Sequence, residues 1–134
     1  MTTTTLATRL QAVHERLRAA ADGRPAVLVA VSKTQPAAQV AALYALGQRV
    51  FGENYVQEAL AKMQALGTTA DAIEWHLIGP LQSNKCREVA ENFDWIQTLD
   101  RAKLIPLLAR YRPDDRAPLN VLVQINLDDE DSKS

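Results

Sequence analysis

Short apolar runs alternate with helix-forming segments along this chain, and that alternation constrains the fold more than any other feature. The runs begin with AVLVAVS at residues 26–32 and end with LNVLVQINL at residues 119–127. Segments such as PAAQVAALYALG at residues 36–47 lie between them. Strands that alternate with helices pair in parallel, because each crossover helix returns the chain to begin the next strand in the same direction. The sequence therefore predicts a parallel α/β sheet.

We predict an N-terminal helix followed by five strands that four helices connect. The first helix follows from apolar residues that recur every three or four positions, namely Leu6, Leu10, Val13 and Leu17. The strands are predicted at residues 26–32, 48–54, 73–80, 94–100 and 119–127, and the connecting helices at residues 36–46, 53–66, 83–93 and 101–111. Ser83 or Asn84 is the expected N-cap of the third connecting helix.

The composition is that of an ordinary globular domain. The 134 residues, 47% of them hydrophobic, are enough for one domain spanning residues 1–134 with a buried core. A net charge of -1 lacks the basic excess of nucleic-acid binders and polybasic membrane patches. No apolar run approaches the roughly 18 residues of a membrane span, and the first residues show no secretory signal. We expect neither nucleic acid nor a membrane as a partner.

Cysteine and histidine are scarce. Cys86 is the single cysteine, and the two histidines, His14 and His76, lie far apart in the sequence. One cysteine forms no internal disulfide, which is typical of the reducing cytoplasm. A structural zinc site needs about four ligands. The sequence therefore predicts a cytoplasmic protein without a metal site.

Polar residues follow every predicted strand. In parallel α/β proteins ligands bind at the carboxyl ends of the strands, and that rim would carry Lys33, Thr34, Gly52, Glu53, Asn54, His76, Gly79, Pro80, Gln82, Ser83, Asn84, Thr98, Asp100, Gln124 and Asn126. The GEN segment at residues 52–54 either turns tightly and brings Asn54 to the rim or begins a helix with Glu53 near its N-terminus. Because loops are polar in any protein, this pattern alone does not establish a site.

Lys33 is the sharpest candidate. Side chains alternate along a strand, so Val27, Val29, Val31 and Lys33 share one face. A lysine at the end of an apolar face would lie in a partly desolvated mouth, where its amine is more readily neutral and able to attack an aldehyde. The competing interpretation is a lysine whose charged end reaches solvent at a strand end. Spacing alone favours that second interpretation.

Other distinctive residues are assigned to packing. His76, inside a strand, is more typical of a hydrogen-bonded core histidine than of a catalytic one. Cys86 indicates a small buried side chain on a helix, and Trp75 and Trp95 are expected to pack. The sequence contains no P-loop, no G-x-G-x-x-G motif and no Ser-His-Asp order.

Several segments together resemble the pyridoxal phosphate homeostasis protein family. They are AVSKTQP, FGENYVQEAL, EWHLIGPLQSNK, FDWIQTLDR, LNVLVQIN and EDSKS, in this order from residue 30 to residue 134. The resemblance implies the fold of the alanine racemase barrel domain, so this chain would form a partial (β/α)8 TIM-type barrel. That part would comprise the N-terminal helix and strands one to five in sequential parallel order. The resemblance also implies that Lys33 holds pyridoxal 5'-phosphate (PLP) as a Schiff base and that Asn54 lies near the cofactor.

The resemblance covers only the first part of such a barrel, which takes about 250 residues when complete. It implies that the phosphate cradle and the arginine facing the pyridine nitrogen lie beyond Ser134, so we expect residues 1–134 to bind PLP weakly. Five strands do not close a barrel, so strands one and five should be open edges and the valine face should stay uncovered. We therefore expect that the chain dimerises through this face, aggregates, or is a piece of a longer protein. A doubly wound sheet would instead place strand one between two neighbours.

Three functions remain open at this stage. The leading one is a non-catalytic protein of intracellular PLP homeostasis, which stores PLP or passes it to PLP-dependent apoenzymes. The second is a PLP-dependent amino-acid racemase, which would need a second acid/base group on the opposite face of the cofactor. The third is a remnant that no longer binds PLP. A visible absorption band on addition of PLP separates the first from the third.

Overall fold

Five parallel strands form one sheet in the order β1-β2-β3-β4-β5. The computed structural model describes residues 3–127. The strands are β1 (Ala30–Val31), β2 (Val50–Glu53), β3 (Glu74–Leu77), β4 (Trp95–Leu99) and β5 (Asn120–Val123). The helices are α1 (Thr3–Ala21), α2 (Ala37–Ala45), α3 (Val56–Leu66), α4 (Thr68–Asp71), α5 (Cys86–Asn92) and α6 (Leu104–Tyr111), and a 3-10 turn covers Ser83–Lys85.

The predicted topology is confirmed. Every neighbouring pair of strands is parallel, and the strands follow one another in chain order. Within residues 3–127, β1 and β5 each have one strand neighbour and form the edges of the sheet. This order excludes the doubly wound arrangement, in which β1 would lie between two strands.

Three local predictions are wrong. The helix predicted from Glu53 begins at Val56, because Glu53 still belongs to β2 and its carbonyl accepts the Ile78 N–H at 2.9 Å. Neither Ser83 nor Asn84 is an N-cap, because both belong to the 3-10 turn that precedes α5. The short helix α4 was not expected from the sequence.

β1 is much shorter than the seven residues expected. Its ladder is limited to Ala30 and Val31, which pair with Phe51 and Gly52. The carbonyl of Leu28 is satisfied by a side chain instead, since Gln48 Nε2 donates to it at 2.8 Å. Residues 26–29, the N-terminal part of the apolar run, therefore belong to no strand.

The core lies between the sheet and the helices. Strand residues that face the helices are fully or almost fully buried and include Phe51, Trp75, Leu77, Ile96 and Leu99. The helices add Val40, Ala59, Val89, Phe93 and Leu104. Neighbouring helices contact one another in the pairs α1–α2, α2–α3, α3–α4, α3–α5 and α5–α6. Burying these apolar side chains supplies the main stabilisation of the fold.

The opposite face of the sheet is partly uncovered. Val27 and Val31 are 72% and 53% exposed. Val29, in contrast, packs beside Gly52, where a Cβ added to the glycine would lie 3.1 Å from Val29 Cγ1 and from Ile78 Cδ1. The expectation of an exposed valine face therefore agrees with the structure. Among residues 3–127, none of the helices has both the length and the apolar character needed to cross a membrane.

Candidate functional site

Lys33 lies in the turn that follows β1. The preceding residue, Ser32, extends the pairing with β2, because its N–H donates to Gly52 O at 3.0 Å. The Lys33 side chain is exposed. The expectation of a partly desolvated lysine is therefore not met within residues 3–127, since no described element covers the valine face beside β1. The amine is open to a ligand that arrives from solvent.

The turn after β1 has an unusual backbone. Gln35 N–H donates to Ser32 O at 3.1 Å, so Lys33 and Thr34 are the two central residues of a β-turn. Thr34 has a φ of 63°. A turn with positive φ at its second central residue normally carries glycine or asparagine there, and a β-branched residue in this region costs of order 1–3 kcal/mol. The turn must be held by its surroundings.

Two glutamates and a lysine contact this turn from the helix side of the sheet. Lys62, on α3, directs its Nζ to Ser32 O at 2.5 Å and to the Glu53 carboxylate at 2.9 and 3.0 Å. It also reaches Glu58 Oε2 at 3.0 Å. The Ser32 hydroxyl donates to Glu53 Oε2. We call Ser32, Glu53, Glu58 and Lys62 the Lys62 network.

Burial and hydrogen bonding shift the pKa values of the two carboxyl groups of this network in opposite directions. Burial raises the pKa of Glu53, against the smaller lowering effects of its hydrogen bonds to Ser32 and Lys62. Glu58 is more open. Its pKa is lowered, first by the Thr34 backbone N–H and then by Lys62. Thr34 N–H donates to both Glu58 oxygens, at 3.1 and 2.8 Å.

Asn54 follows β2 and lies at a close backbone contact. A Cβ on Gly79 would come within 2.4 Å of Asn54 O, so only glycine allows the β3 end to approach so closely. Asn54 also lines a cleft of about 290 Å³ together with Tyr55, Val56, Gln57, Pro80, Gln82 and Lys85. Lys33 is not part of this lining. The structure thus brings Lys33 and Asn54 to the ends of adjacent strands but places only Asn54 in the cleft.

His76 belongs to a polar layer on the face opposite the helices. It is buried, its Nδ1 lies 2.9 Å from Gln97 Nε2, and its Nε2 lies 3.3 Å from Glu74 Oε2. Its ring stacks on Trp95 with centroids 5.3 Å apart. Trp95 Nε1 donates to Glu74 Oε1 at 3.2 Å. These contacts agree with the interpretation of His76 as a hydrogen-bonded core histidine.

The remaining candidates divide between structure and surface. Cys86 is buried, as expected, and burial raises the pKa of its thiol. Thr98 donates to Gly79 O at 2.6 Å and so ties β4 to the loop after β3. Gln82 and Asp100 are exposed at the rim. The EDSKS segment of the resemblance lies outside the described residues. Within residues 3–127, no three histidine, cysteine, aspartate or glutamate residues form a cluster that could hold a metal ion.

The Lys62 network was not expected from the sequence. Glu58 and Lys62 are four residues apart on α3, and such a pair is usually a solvent-exposed ion pair. Glu53 was placed at the rim. Its side chain instead points to the helices, on the same face as Phe51, because side chains alternate along β2. Only the packing of α3 against β1 and β2 brings these three charges together.

Parallel strands in chain order, connected by helices on one face of the sheet, are the arrangement of the (β/α)8 barrel class, in which sites lie at the carboxyl ends of the strands. A family model described as alanine racemase, N-terminal domain, matches residues 7–130. The chain belongs to this family.

Its sequence is similar to that of proteins named pyridoxal phosphate homeostasis protein. The protein of Haemophilus influenzae is 58% identical over 107 residues, which cover 80% of this chain and 45% of the relative. That of Escherichia coli strain K12 is 51% identical over 137 residues, which cover 96% of this chain and 58% of the relative. The chain thus spans about half the length of these relatives. The resemblance inferred from the sequence is confirmed.

Two solved structures are also similar. PipY of Synechococcus elongatus PCC7942, with PLP bound, has a TM-score of 0.62 and 48% sequence identity, covering 72% of this chain and 46% of PipY. An unknown protein from Bifidobacterium adolescentis has a TM-score of 0.72 and 30% identity, covering 81% and 49%. The fold of most of this chain is therefore similar to about half of each of these proteins.

Proposed function

We propose that residues 1–134 form the N-terminal part of a PLP-binding barrel and that the protein takes part in intracellular PLP homeostasis. The observation that carries this proposal is the placement of Lys33 at the carboxyl end of β1, beside Asn54 at the end of the adjacent strand β2. The family membership and the names of the relatives support it. The bound PLP of PipY supports it as well.

Lys33 and Asn54 are the residues of this chain that we assign to the cofactor. PLP would supply an aldehyde, and Lys33 would hold it through its side-chain amine, which can condense with an aldehyde carbon with loss of water. No electron is gained or lost in this condensation. The fit rests on two observations: Lys33 is open to solvent, and the half-buried Asn54 lines the cleft at the end of the adjacent strand.

The role that we propose is non-catalytic. The protein would store PLP, limit the concentration of free aldehyde and pass the cofactor to PLP-dependent apoenzymes. The single cysteine, Cys86, is free and buried, which suits a reducing cytoplasm. A PLP-dependent racemase is the second candidate, because the matching family model takes its description from alanine racemase. Amino-acid turnover that depends on Lys33 would favour the racemase.

Borohydride trapping tests the assignment of Lys33. The chain is titrated with PLP, followed by visible absorption, then reduced and mapped by peptide mass spectrometry. The expected label is on Lys33, and a label on Lys62, Lys85 or Lys103 contradicts the assignment. Absence of a visible band at every PLP concentration identifies a remnant that has lost the cofactor.

Two variants sharpen this experiment. Lys33→Arg should abolish the label, because the guanidinium group stays protonated and provides no neutral amine. Lys103→Arg is the matched control, since Lys103 is an exposed lysine outside the proposed site, and it should label like the unmodified chain. Recovery of activity by a PLP-dependent apoenzyme mixed with the loaded chain tests the homeostasis role separately.

A further inference from the structure

The Lys62 network bonds to both residues that flank Lys33. On one side, Lys62 Nζ holds Ser32 O at 2.5 Å. On the other side, the Glu58 carboxylate accepts the Thr34 N–H through both oxygens, at 3.1 and 2.8 Å. Lys62 and Glu58 are themselves joined at 3.0 Å. A closed set of hydrogen bonds therefore runs from one flank of Lys33 through α3 to the other flank.

Stability alone does not explain this network. Glu53 is fully buried and Lys62 is nearly so. Removing two charges from water is costly, and an apolar pair of similar volume is often at least as stable as a buried ion pair. Buried polar networks that are fully satisfied instead restrict a region to one geometry. The three protons of the Lys62 ammonium find acceptors in Ser32, Glu53 and Glu58, so the network meets this condition.

The geometry that is restricted is an unfavourable one. Thr34 has a φ of 63°, in a region that β-branched residues rarely adopt. In this conformation of the turn, the Thr34 N–H meets both Glu58 oxygens. Without these bonds, a threonine at this position would relax to negative φ. The direction of the Lys33 side chain would change with it, because Lys33 shares the turn.

We propose that Glu58 and Lys62 are positioning residues that hold the turn at residues 32–35 and thereby set the direction of the Lys33 amine. This inference rests on the proposed function in so far as that amine is the point of PLP attachment. The network acts from the helix side of the sheet and reaches Lys33 only through the backbone. Its action on the turn is present whether or not PLP is bound.

Amide hydrogen exchange at Thr34 tests the action on the turn without PLP. In Glu58→Ala, exchange at the Thr34 amide should speed up by about tenfold or more, because its acceptor is lost. Glu91→Ala is the matched control. Like Glu58, Glu91 forms an i,i+4 ion pair on a helix, in its case with Arg87 at 3.7 Å. The Thr34 N–H donates to Glu58, so removing Glu91 leaves that hydrogen bond in place. An unchanged Thr34 exchange rate in Glu58→Ala overturns the proposal.

Borohydride trapping then tests the effect on Lys33. At a fixed PLP concentration and reduction time, Glu58→Ala should lower the label on Lys33 by about tenfold, since a displaced reactive group loses much of its rate. Adding Thr34→Gly should restore part of the label, because glycine adopts positive φ without strain. Glu91→Ala should label like the unmodified chain. A label that is unchanged in Glu58→Ala overturns the proposal.

The outcomes separate the two proposals. If the unmodified chain gives no label on Lys33, the proposed function fails, and Thr34 exchange alone decides whether the network holds the turn. If the unmodified chain labels and Glu58→Ala labels equally, the function stands and the positioning role fails. A loss that Thr34→Gly does not restore, with the fold intact by circular dichroism, also contradicts the positioning role.

Discussion

The two edge strands of the sheet are held in opposite ways. β1 contributes only two residues to its ladder, yet the residue that follows it, Ser32, is buried and bonded to Glu53 and Lys62. β5 has four residues, three of them paired with β4, and all four are exposed. Its ladder is flanked by backbone bonds from Asn120 to Asp94 and from Gln124 to Leu99. Within β1 itself Ala30 is half-buried and Val31 is 53% exposed, so the buried polar contacts at this edge belong to the turn that follows the strand.

The burial of charged and apolar groups at the two edges also departs from the usual pattern, in which apolar groups are buried and charged groups are exposed. Charged groups are buried beside β1, whereas apolar groups are exposed along β5. A groove of about 400 Å³ runs between α6 and β5, lined by Leu99, Ile105, Leu108, Ala109, Arg112, Pro118, Leu119, Val121 and Val123. The β1 edge is therefore sensitive to the loss of one charge, and the β5 edge is open to further association.

The largest expected effect is at the β1 edge. Lys62→Met should destabilise the chain by about 3–5 kcal/mol, because it leaves the buried Glu53 carboxyl group without its charged partner. The measurement is the free energy of unfolding from urea titration. Lys103→Met, at an exposed lysine, should change it by about 0.5 kcal/mol or less. Equal losses in the two variants would show that the buried pair is energetically unimportant.

Leucine truncation compares the covered and uncovered parts of the sheet. Leu77 on β3 is fully buried, whereas Leu122 on β5 is 50% exposed. Leu77→Ala should cost about 2–5 kcal/mol, since it removes buried apolar surface and leaves a cavity. Leu122→Ala should cost about 0.5 kcal/mol. A cost for Leu122→Ala as large as that for Leu77→Ala would mean that β5 is covered in solution.

Self-association tests the open β5 edge directly. We expect the 134-residue chain to form dimers or larger species whose population rises with concentration in analytical ultracentrifugation. Val123→Lys should weaken this association by about tenfold, which corresponds to about 1.4 kcal/mol, because a charged side chain on an edge strand opposes pairing. Val27→Lys places the charge on the valine face instead. The variant that weakens association more shows whether the β5 edge or the valine face is the associating surface. A strictly monomeric chain would contradict the expectation.

The smallest effect is the pH dependence that Glu58 contributes. Its pKa is lower in the folded chain than the ordinary value of 4.5, so the folded state favours the ionised form. The resulting stability is present above that value and is lost as the pH falls through the folded-state pKa. Glu58 is partly solvated, so the contribution is at most about 1 kcal/mol. The urea midpoint, measured at pH values above and below 4.5, should change less with pH in Glu58→Gln than in the unmodified chain.

Glu53 acts in the opposite sense and provides the internal comparison. Its raised pKa means that the folded state favours the protonated form. Its contribution to stability is therefore full below the ordinary value and is lost as the pH rises through the folded-state pKa. Glu53→Gln should remove that loss. A variant at either glutamate with the pH profile of the unmodified chain would contradict the corresponding shift.

The sequence by itself determined the order and direction of the strands. The alternation of apolar runs with helix-forming segments is a local property, and parallel pairing follows from it with little dependence on detail. The boundaries of the elements were less well determined. β1 is shorter than its apolar run because only Ala30 and Val31 pair with β2. Glu53 is a strand residue because it pairs with Leu77 of β3 and its carbonyl accepts the N–H of the following residue, Ile78.

The candidate site divides in the same way. Lys33 and Asn54 were placed at the rim because they follow strands, and position at a strand end is readable from the sequence. Their assignment to PLP came from the family resemblance and stays a prediction. The Lys62 network was decided only by the tertiary structure. Its members come from three elements, and nothing in the spacing of Ser32, Glu53 and Lys62 indicates that their polar groups meet. They meet because α3 packs over the ends of β1 and β2, where a buried charge has to find its partners in space rather than in sequence.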